Sequence, residues 1–214
     1  MSKSEVIEKI KQTGVLPVIR ADSATEAEQV IKAIKRGGIT TIEITMTVPN
    51  ATDLIAHLSK SDADILIGAG TVLDVETARK CVEAGAKFII SPALNVETIK
   101  FCNAREIVVM PGALTPTEVI AAWQAGADFV KVFPASAVGG ANYLKSLKAP
   151  LPHIKLIPTG GVSLKNAADF FLAGAEAVGV GADLVDLQAL RENRAYIITE
   201  TAQRYLEIAK AARL

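Results

Sequence analysis

Lys131 and Glu43 are the residues of this chain whose chemistry stands out, because each has apolar neighbours. Lys131 lies in the middle of DFVKVFPAS (128–136), which is otherwise typical of a strand buried on both faces, and Glu43 lies in TTIEITM (40–46). Burial disfavours an ammonium group and leaves a neutral amine that can attack a carbonyl carbon to form a Schiff base. Schiff-base chemistry also requires a positioned acid or base, which Glu43 could supply. The pair is therefore sufficient for a metal-free aldolase, a transaldolase or a related imine-forming lyase.

The same pair also has a structural interpretation, as a buried ion pair or as a lysine whose ammonium reaches the rim of the fold. Ion pairs occur in protein cores but often add little stability. The chemical interpretation requires both side chains to face one interior. Since strand residues alternate between two faces, Glu43 points away from Ile42 and Ile44, which we expect to face the helices. The same alternation places Lys131 on the inner face of its own strand.

The elements that must position the pair repeat along the chain. Four segments share a helical run that ends in a small residue and glycine and is followed by an apolar strand; their glycines are Gly37, Gly85, Gly126 and Gly174. Such a glycine fits a helix end that needs positive φ. Further apolar runs lie between these anchors, at residues 15–20, 65–71, 107–112 and 154–161. Together the two sets predict eight strands.

Strict alternation of strands with helices predicts parallel strands that are buried on both faces. Helix starts are indicated by Ser23, Asp74, Thr115 and Ser163. These units predict an α/β fold, a (β/α)8 TIM barrel in one domain over residues 1–214, with an N-terminal helix and C-terminal helices. An open doubly wound sheet is disfavoured by the even repetition and by the lack of a GxGxxG motif after the first strand. In a barrel, catalytic groups lie at the C-terminal ends of the strands.

Glycine-rich turns mark further candidate positions at strand ends. GAGT (68–71) ends the third strand, where Thr71 could bind a substrate carboxylate or hydroxyl, or could simply start a helix. PTGGV (158–162) and GVGADL (179–184) end the last two strands. Paired glycine turns there expose backbone N–H groups where barrels frequently hold a phosphate, although glycine turns also occur for steric reasons.

Composition disfavours several classes of function. The 23 basic residues balance 23 acidic ones, so neither nucleic acid nor a membrane surface is expected as a partner. No apolar run approaches the ~18 residues of a membrane span and no signal sequence is recognisable, so a cytoplasmic location is expected. Cys81 and Cys102 do not form closely spaced pairs, so we expect buried thiols and neither a disulfide framework nor a zinc site. The only histidines, His57 and His153, are too scattered for a metal cluster or a histidine-based triad. No metal ion is expected.

Seven motifs follow one another over nearly the whole chain: EITMTVPNA (43–51), GAGTV (68–72), ISPAL (90–94), MPGALTPTE (110–118), FVKVFPA (129–135), PTGGV (158–162) and GVGADLV (179–185). Together they resemble the 2-keto-3-deoxy-6-phosphogluconate (KDPG) and 4-hydroxy-2-oxoglutarate (KHG) aldolase family. The resemblance implies a class I aldolase on a (β/α)8 barrel, without a cofactor and usually a homotrimer. Its small-molecule substrate would be a 2-keto-3-deoxy sugar acid, cleaved reversibly into pyruvate and an aldehyde, glyceraldehyde 3-phosphate from KDPG or glyoxylate from KHG.

The resemblance also implies roles for individual residues. By motif, Lys131 corresponds to the Schiff-base lysine, Glu43 to the general acid and base, and Thr71 to a contact on the pyruvate side. The positions that match the phosphate-binding turns are Gly160, Gly161, Gly181 and the neighbouring Ala182. The remaining substrate-binding candidates are Arg20, Thr47, Pro92, Phe133 and Thr159.

Two positions depart from the family pattern. Many members carry an arginine shortly after the glutamate, in contact with the substrate carboxylate, where this chain has Thr47; Arg20, at the end of the first strand, could replace the missing charge. Many members carry a serine facing the phosphate where this chain has Ala182. We therefore expect weak anchoring of the phosphate end and modest discrimination between phosphorylated and unphosphorylated substrates.

Two other functions stay open at the level of sequence. A phosphate-binding barrel isomerase, epimerase or synthase shares the glycine turns but needs no lysine in the sixth strand. A non-catalytic barrel that binds sugar acids or serves as an assembly scaffold needs neither ionisable residue. Because a fold alone does not decide function, Lys131 and Glu43 carry the distinction.

Overall fold

Strands and helices alternate through residues 1–213, the part of the chain that the computed structural model describes. The strands are β1 (Val15–Ile19), β2 (Thr41–Thr45), β3 (Leu66–Gly70), β4 (Phe88–Ile90), β5 (Val108–Met110), β6 (Gly112–Ala113), β7 (Val130–Val132), β8 (Leu156–Pro158) and β9 (Val178–Val180). The α-helices are α1 (Lys3–Thr13), α2 (Ala24–Arg36), α3 (Ala51–Ser61), α4 (Val75–Glu83), α5 (Val96–Asn103), α6 (Pro116–Gln124), α7 (Ala141–Lys148), α8 (Ala167–Leu172), α9 (Leu187–Arg191) and α10 (Ala195–Ala211). A short 3-10 helix spans Ala135–Val138.

The strands form two parallel sheets. Six strands lie in the order β5-β4-β3-β2-β1-β9, and three lie in the order β6-β7-β8. The predicted fifth strand is divided into β5 and β6 at Pro111, whose backbone has no N–H to donate to a ladder. Two parallel bridges, Leu156 to Ala175 and Thr159 to Gly179, connect the β8 segment with the β9 segment. The architecture is thus an α/β fold with a curled parallel sheet, where the sequence predicted one continuous ladder of eight strands.

Alternate strand residues face two separate hydrophobic clusters. The larger cluster lies between the strands and the helices and includes Ile42 and Ile44, as predicted. The inner cluster draws most of its members from the strands; these are Leu16, Leu66, Phe88, Ile90, Val108, Met110 and Ile157, and Phe129 joins them directly before β7. Because Glu43 alternates with the two isoleucines, its side chain lies on the inner side of the sheet.

Helix α1 covers one end of the inner cluster. Its Val6 and Ile10 are 2% and 1% exposed and pack with the inner strand residues. A capping box starts the helix, because the side chain of Ser2 accepts the N–H of Glu5 and the Glu5 carboxylate accepts the N–H of Ser2. Only Gly14 separates α1 from β1. The helix therefore closes the amino end of the strands and leaves their carboxyl ends for the site.

Three of the four predicted helix starts are confirmed, with a side chain that accepts the N–H three residues later; they are Ser23, Asp74 and Thr115. The fourth was wrong, since α8 begins at Ala167 and not directly after Ser163. Asn166 accepts the Ser163 N–H at 2.8 Å and donates to the Gly161 carbonyl at 2.9 Å. These two hydrogen bonds hold the segment after β8 in turns, which extends the glycine-rich loop.

The positive φ predicted at four helix-terminal glycines is confirmed at three of them but not at Gly37. There the left-handed residue is Gly38, with a φ of 97°, whereas Gly37 has a φ of −77°. A Cβ at Gly37 would lie 2.5 Å from the Cβ of Ala202. Gly37 is therefore required by the close approach of α10 and not by the turn.

We predict that Ile10→Ala lowers the free energy of unfolding by about 2–5 kcal/mol, because it leaves a cavity at the closed end of the inner cluster. Ile7 lies on the same helix but is only partly buried, so Ile7→Ala is a matched control with a smaller expected loss. Urea unfolding at a fixed protein concentration, followed by circular dichroism, measures both variants. Equal losses would contradict the packing of α1 described above.

Candidate active site

Lys131 and Glu43 meet on the inner side of the strands. Lys131 lies at the centre of β7 and Glu43 at the centre of β2. Their side chains are 6% and 1% exposed, and Lys131 Nζ lies 3.9 Å from Glu43 Oε1. That distance is too long for a hydrogen bond, and among residues 1–213 Glu43 Oε1 has no hydrogen-bond partner. The two groups are close enough to exchange a proton through one intervening water or substrate atom without being locked to each other.

Two glycines of β3 make room beside the carboxyl group. A Cβ at Gly70 would overlap the carboxyl group of Glu43, and a Cβ at Gly68 would overlap the ring of Phe88. Both glycines belong to the GAGT motif, whose glycines were expected to allow a close approach. The approaching groups are side chains of neighbouring strands, so this part of the motif shapes the interior around Glu43.

The electrostatic environment of Glu43 favours its protonated form. Burial raises the pKa of the Glu43 carboxyl group, and the positive charges of Lys131 and Arg20 oppose that rise. Burial is the largest of the three influences, so the pKa is higher than that of a carboxyl group in water. A carboxyl group with a raised pKa can both donate and accept a proton under mild conditions, as a general acid and base must.

A cavity of about 380 Å³ opens onto Lys131. It brings together eight of the predicted site residues, which are Arg20, Lys131, Phe133, Thr159, Gly160, Gly161, Gly181 and Ala182. These residues lie on β7 or just after β1, β7, β8 and β9. The site is therefore built at the carboxyl ends of parallel strands, where the loops of such folds meet. A ligand in the cavity would contact the lysine amine directly.

Phe133 and Thr159 lie in the wall beside the amine. Lys131 Nζ lies 5.2 Å from the centroid of the Phe133 ring, which is within the range of a cation–π contact. Thr159 is 7% exposed, and Gly179 lacks the Cβ that would overlap it. The amine thus lies against an aromatic ring, and the buried Thr159 lines the same cavity.

Three predicted substrate-binding residues, Thr47, Thr71 and Pro92, are not among the described residues that line this cavity. Thr47 is exposed after β2, and its hydroxyl lies 2.6 Å from that of Thr45. Thr71 follows β3 with a φ of 58°, a left-handed conformation that is unusual for a β-branched residue and is often found at functional sites. Pro92 packs against Gly112, where a Cβ would overlap its carbonyl group.

Four lining residues were not predicted as site residues from the sequence, namely Val18, Val162, Ser163 and Asp183. Val18 is the register partner of Glu43 in the neighbouring strand, and strand pairing is not readable from one sequence. Asp183 is the charged residue of the GVGADL motif, and this charge was the available signal for it. Its place beside the glycine turns adds a negative charge to a part of the site where a phosphate was expected.

Among residues 1–213, the cysteine, histidine and acidic side chains form neither a metal site nor a reactive thiol. Within residues 1–213 no group of three or more His, Cys, Asp or Glu side chains could hold a metal ion. Cys81 and Cys102 are free and buried, as predicted. Burial raises the pKa of Cys81 to about 11 and that of Cys102 to about 12, which keeps both thiols neutral at pH 7. No helix in the described residues is long and apolar enough to cross a membrane.

We predict that Glu43→Gln changes how stability depends on pH. Because the folded pKa of Glu43 is raised, the folded state binds this proton more tightly than the unfolded state. Stability therefore falls as the pH rises from the unfolded value of 4.5 through the folded pKa. Glutamine lacks this proton, so the variant should gain unfolding free energy relative to the wild type across that window and keep the gain at higher pH.

Chemical denaturation from about pH 4 to about pH 8 measures this difference. The control is Glu83→Gln, which removes an exposed carboxylate from the end of α4. A difference between Glu43→Gln and the wild type that stays constant over the whole range would contradict the raised pKa.

Comparison with known proteins identifies a family of similar sequences. Residues 6–201 match the aldolase family described as KDPG and KHG aldolase. The chain is 31% identical over 203 residues to the 2-dehydro-3-deoxy-phosphogluconate aldolase of Treponema pallidum (strain Nichols), a match that covers 95% of this chain and 97% of that protein. It is 33% identical to the KHG/KDPG aldolase of Escherichia coli (strain K12), over 95% of this chain and 96% of that protein.

Solved structures give the same result. The crystal structure of the KDPG aldolase from Legionella pneumophila, with pyruvate captured at low pH as a covalent carbinolamine intermediate, aligns with a TM-score of 0.85 at 32% identity. The alignment covers 92% of this chain and 96% of that chain. The chain therefore belongs to the KDPG and KHG aldolase family and is an aldolase, an enzyme of the lyase class.

Proposed function

We propose that this protein is a class I aldolase, which cleaves a 2-keto-3-deoxy sugar acid reversibly into pyruvate and an aldehyde through a Schiff base on Lys131. The observation that carries the proposal is the buried Lys131–Glu43 pair, with its amine at the wall of a cavity. Relatives named as KDPG and KHG aldolases support the substrate class. The Legionella relative holds pyruvate as a covalent carbinolamine, which is the first intermediate of this chemistry.

In the first half of the mechanism, the neutral amine of Lys131 attacks the C2 carbonyl carbon of the substrate, and the carbonyl oxygen becomes the hydroxyl of a carbinolamine. Protonated Glu43 gives its proton to that hydroxyl, which leaves as water while the lysine nitrogen forms an iminium bond to C2. The iminium is an electron sink. Ionised Glu43, directly or through a water, then removes the proton of the C4 hydroxyl, and the C3–C4 electron pair moves to the iminium as C4 becomes an aldehyde.

The second half returns the enzyme to its starting state. The enamine left on Lys131 takes a proton from Glu43 at C3, which becomes the methyl group of pyruvate. A water molecule adds to C2 of the iminium and gives one proton to ionised Glu43, which restores the protonated carboxyl group. The hydroxyl proton of the carbinolamine then passes to the lysine nitrogen as the C2–N bond breaks, which releases pyruvate and the neutral amine. Glu43 alternates between donor and acceptor in these steps, and its raised pKa suits both roles.

Substrate contacts follow from the positions of the other residues. Arg20 is near enough to Glu43 to oppose the rise in its pKa, so its guanidinium is proposed to bind the carboxylate beside the reacting carbon, in place of an arginine at position 47. Phe133 and Thr159 flank the keto group. Thr47, Thr71 and Pro92, around the same strand ends, are proposed to complete the pyruvate side. The far end of the aldehyde half lies against Gly160, Gly161, Gly181 and Ala182.

The proposal extends to the architecture. Bridges between the β8 and β9 segments, together with the continuity of the chain through Pro111 between β5 and β6, support closure of the two sheets into one (β/α)8 barrel in a single domain. A closed barrel brings β2 and β7 to opposite walls of one interior, as the Lys131–Glu43 contact requires. A homotrimer without a cofactor is the assembly that the family resemblance implies, and a cytoplasmic location is proposed from the sequence alone.

We predict that Lys131→Met abolishes aldol cleavage, with a loss of at least about a thousandfold in kcat, because methionine fills the same space but offers no nucleophile. The matched control is Lys155→Met. Lys155 also lies over an aromatic ring, with its Nζ 5.7 Å from the centroid of Phe129, but it does not line the described cavity. Its variant should keep most of the activity.

Coupled detection of pyruvate measures turnover of both variants, and circular dichroism verifies that they are folded. Substantial cleavage by folded Lys131→Met would contradict the Schiff-base mechanism. If folded Lys131→Met cleaves no aldol but still isomerises or epimerises a phosphosugar, the phosphate-binding isomerase is favoured instead.

We predict that Arg20→Gln raises the KM of the keto acid by about 10–100-fold with a smaller effect on kcat, because it removes a charged hydrogen bond to the substrate carboxylate. The control, Arg36→Gln, removes an exposed charge at the end of α2. Steady-state kinetics at one ionic strength measures both. An unchanged KM in Arg20→Gln would contradict this placement of the carboxylate.

A further inference from the structure

Asp183 is a charged residue of the cavity to which neither the family resemblance nor the mechanism gives a role. It lines the cavity directly after Gly181 and Ala182, on the turn that follows β9. Its carboxylate is held in place from two sides, because Oδ2 accepts the hydroxyl of Tyr205 at 2.5 Å and the N–H of Leu164 at 3.2 Å. Tyr205 is fully buried in α10. The carboxylate is therefore held in one place beside the glycine turns, even though Asp183 itself is exposed.

The same contacts occupy two backbone N–H groups of the turn after β8, which lie beyond Gly160 and Gly161, the positions that match a phosphate-binding turn. At the end of the turn after β8, the N–H of Leu164 donates to Asp183 Oδ2, and the N–H of Ser163 donates to Asn166 Oδ1 at 2.8 Å. Phosphate sites in such folds are made largely from backbone N–H groups of these turns. Side chains of the protein therefore already take two N–H groups of this turn.

The distribution of charge around the cavity points the same way. Its two cationic residues are Arg20 and Lys131, and both are near enough to Glu43 to act on its pKa. Lys131 therefore belongs to the end of the cavity where the keto acid reacts, whereas Arg20 also neighbours the turn after β9, because β1 pairs with β9 and Pro17 lies opposite Val180. Among the lining residues that follow β8 and β9, the charged one is Asp183. A phosphate placed there would meet a carboxylate of like charge, whereas a hydroxyl group could donate a hydrogen bond to it.

We propose that Asp183 is a specificity residue that selects an aldehyde half ending in a hydroxyl group and disfavours one ending in a phosphate. The inference rests on the proposed aldolase function and names the class of substrate: an unphosphorylated 2-keto-3-deoxy sugar acid. Alanine at position 182, where many family members have a serine facing the phosphate, would only weaken the binding of a phosphate. Asp183 adds repulsion against the charged substrate, which is an effective route to discrimination.

A purely structural role for Asp183 is the competing explanation. The Tyr205–Asp183 hydrogen bond ties α10 to the turn after β9, and burial followed by this hydrogen bond raises the pKa of the tyrosine hydroxyl. If that tie were the whole role, removing the charge would alter stability but leave substrate preference unchanged. The ratio of kcat/KM for two substrates that differ only in the phosphate is a readout that stability alone does not move.

The experiment compares 2-keto-3-deoxygluconate with its 6-phosphate in cleavage, at low salt and at about 0.5 M salt. For the wild type we expect at least a tenfold higher kcat/KM for the unphosphorylated substrate at low salt. The preference should shrink at high salt, because exposed charges are screened over a short distance. Asp183→Asn keeps an oxygen that can accept from Tyr205 and Leu164 but removes the charge, so it should lower the preference by at least about tenfold.

The matched control is Asp186→Asn. Asp186 also has a structural carboxylate, which accepts the N–H of Ala189 at 2.8 Å, but it is not among the described residues that line the cavity. Its variant changes the net charge equally and should keep the wild-type preference. The salt dependence of the wild type tests the inference without any variant, should Asp183→Asn fail to fold.

Several results would overturn the inference. They are a wild-type preference for the phosphorylated substrate, a preference that salt does not change, and an equal preference in folded Asp183→Asn and the wild type. Trapping of pyruvate on Lys131 with borohydride separates failure of the role proposed for Asp183 from failure of the aldolase proposal. A preference for the phosphorylated substrate with normal trapping overturns the role of Asp183 alone, whereas no trapping and no turnover of either substrate overturns the aldolase proposal and this inference with it.

Discussion

Burial of an amine opposite a carboxyl group is the constraint on which the site depends. Lys131 Nζ and Glu43 Oε1 lie 3.9 Å apart, with side chains that are 6% and 1% exposed, on the inner side of the strands. A closer, fully hydrogen-bonded pair would hold both charges in place, whereas this spacing leaves room for a substrate atom or a water. The stability that such burial costs is offset elsewhere, by the apolar clusters on both sides of the strands.

The rest of the fold serves this constraint. Helix α1 seals the amino end of the strands with Val6 and Ile10, so the interior opens toward the carboxyl ends. Gly70 leaves the space that the carboxyl group of Glu43 fills. Proteins that share this kind of fold have many different activities, because the side chains at the strand ends decide the chemistry. In this chain, the pair of ionisable residues is what the proposed imine chemistry requires and what a phosphate-binding fold without it would lack.

The sequence predicted the alternation of strands and helices, the inner face of Glu43 and the free cysteines, because each follows from local periodicity or from composition. It did not predict the break at Pro111, where the loss of one N–H divides a strand between two sheets. The left-handed conformation of Thr71 was also unpredictable, since nothing in its residue type favours it. The fixed position of Asp183 depends on Tyr205, which is distant in sequence and reaches it through the packing of α10.

The central claim is that Lys131 forms a Schiff base with the keto acid. The most direct test is to incubate the protein with pyruvate, reduce it with borohydride and locate the added mass by peptide mass spectrometry. The account predicts one reduced pyruvyl adduct, on Lys131. A folded protein that carries no adduct, or that carries it on a different lysine, would contradict the account and favour the interpretation of Lys131 and Glu43 as a structural ion pair.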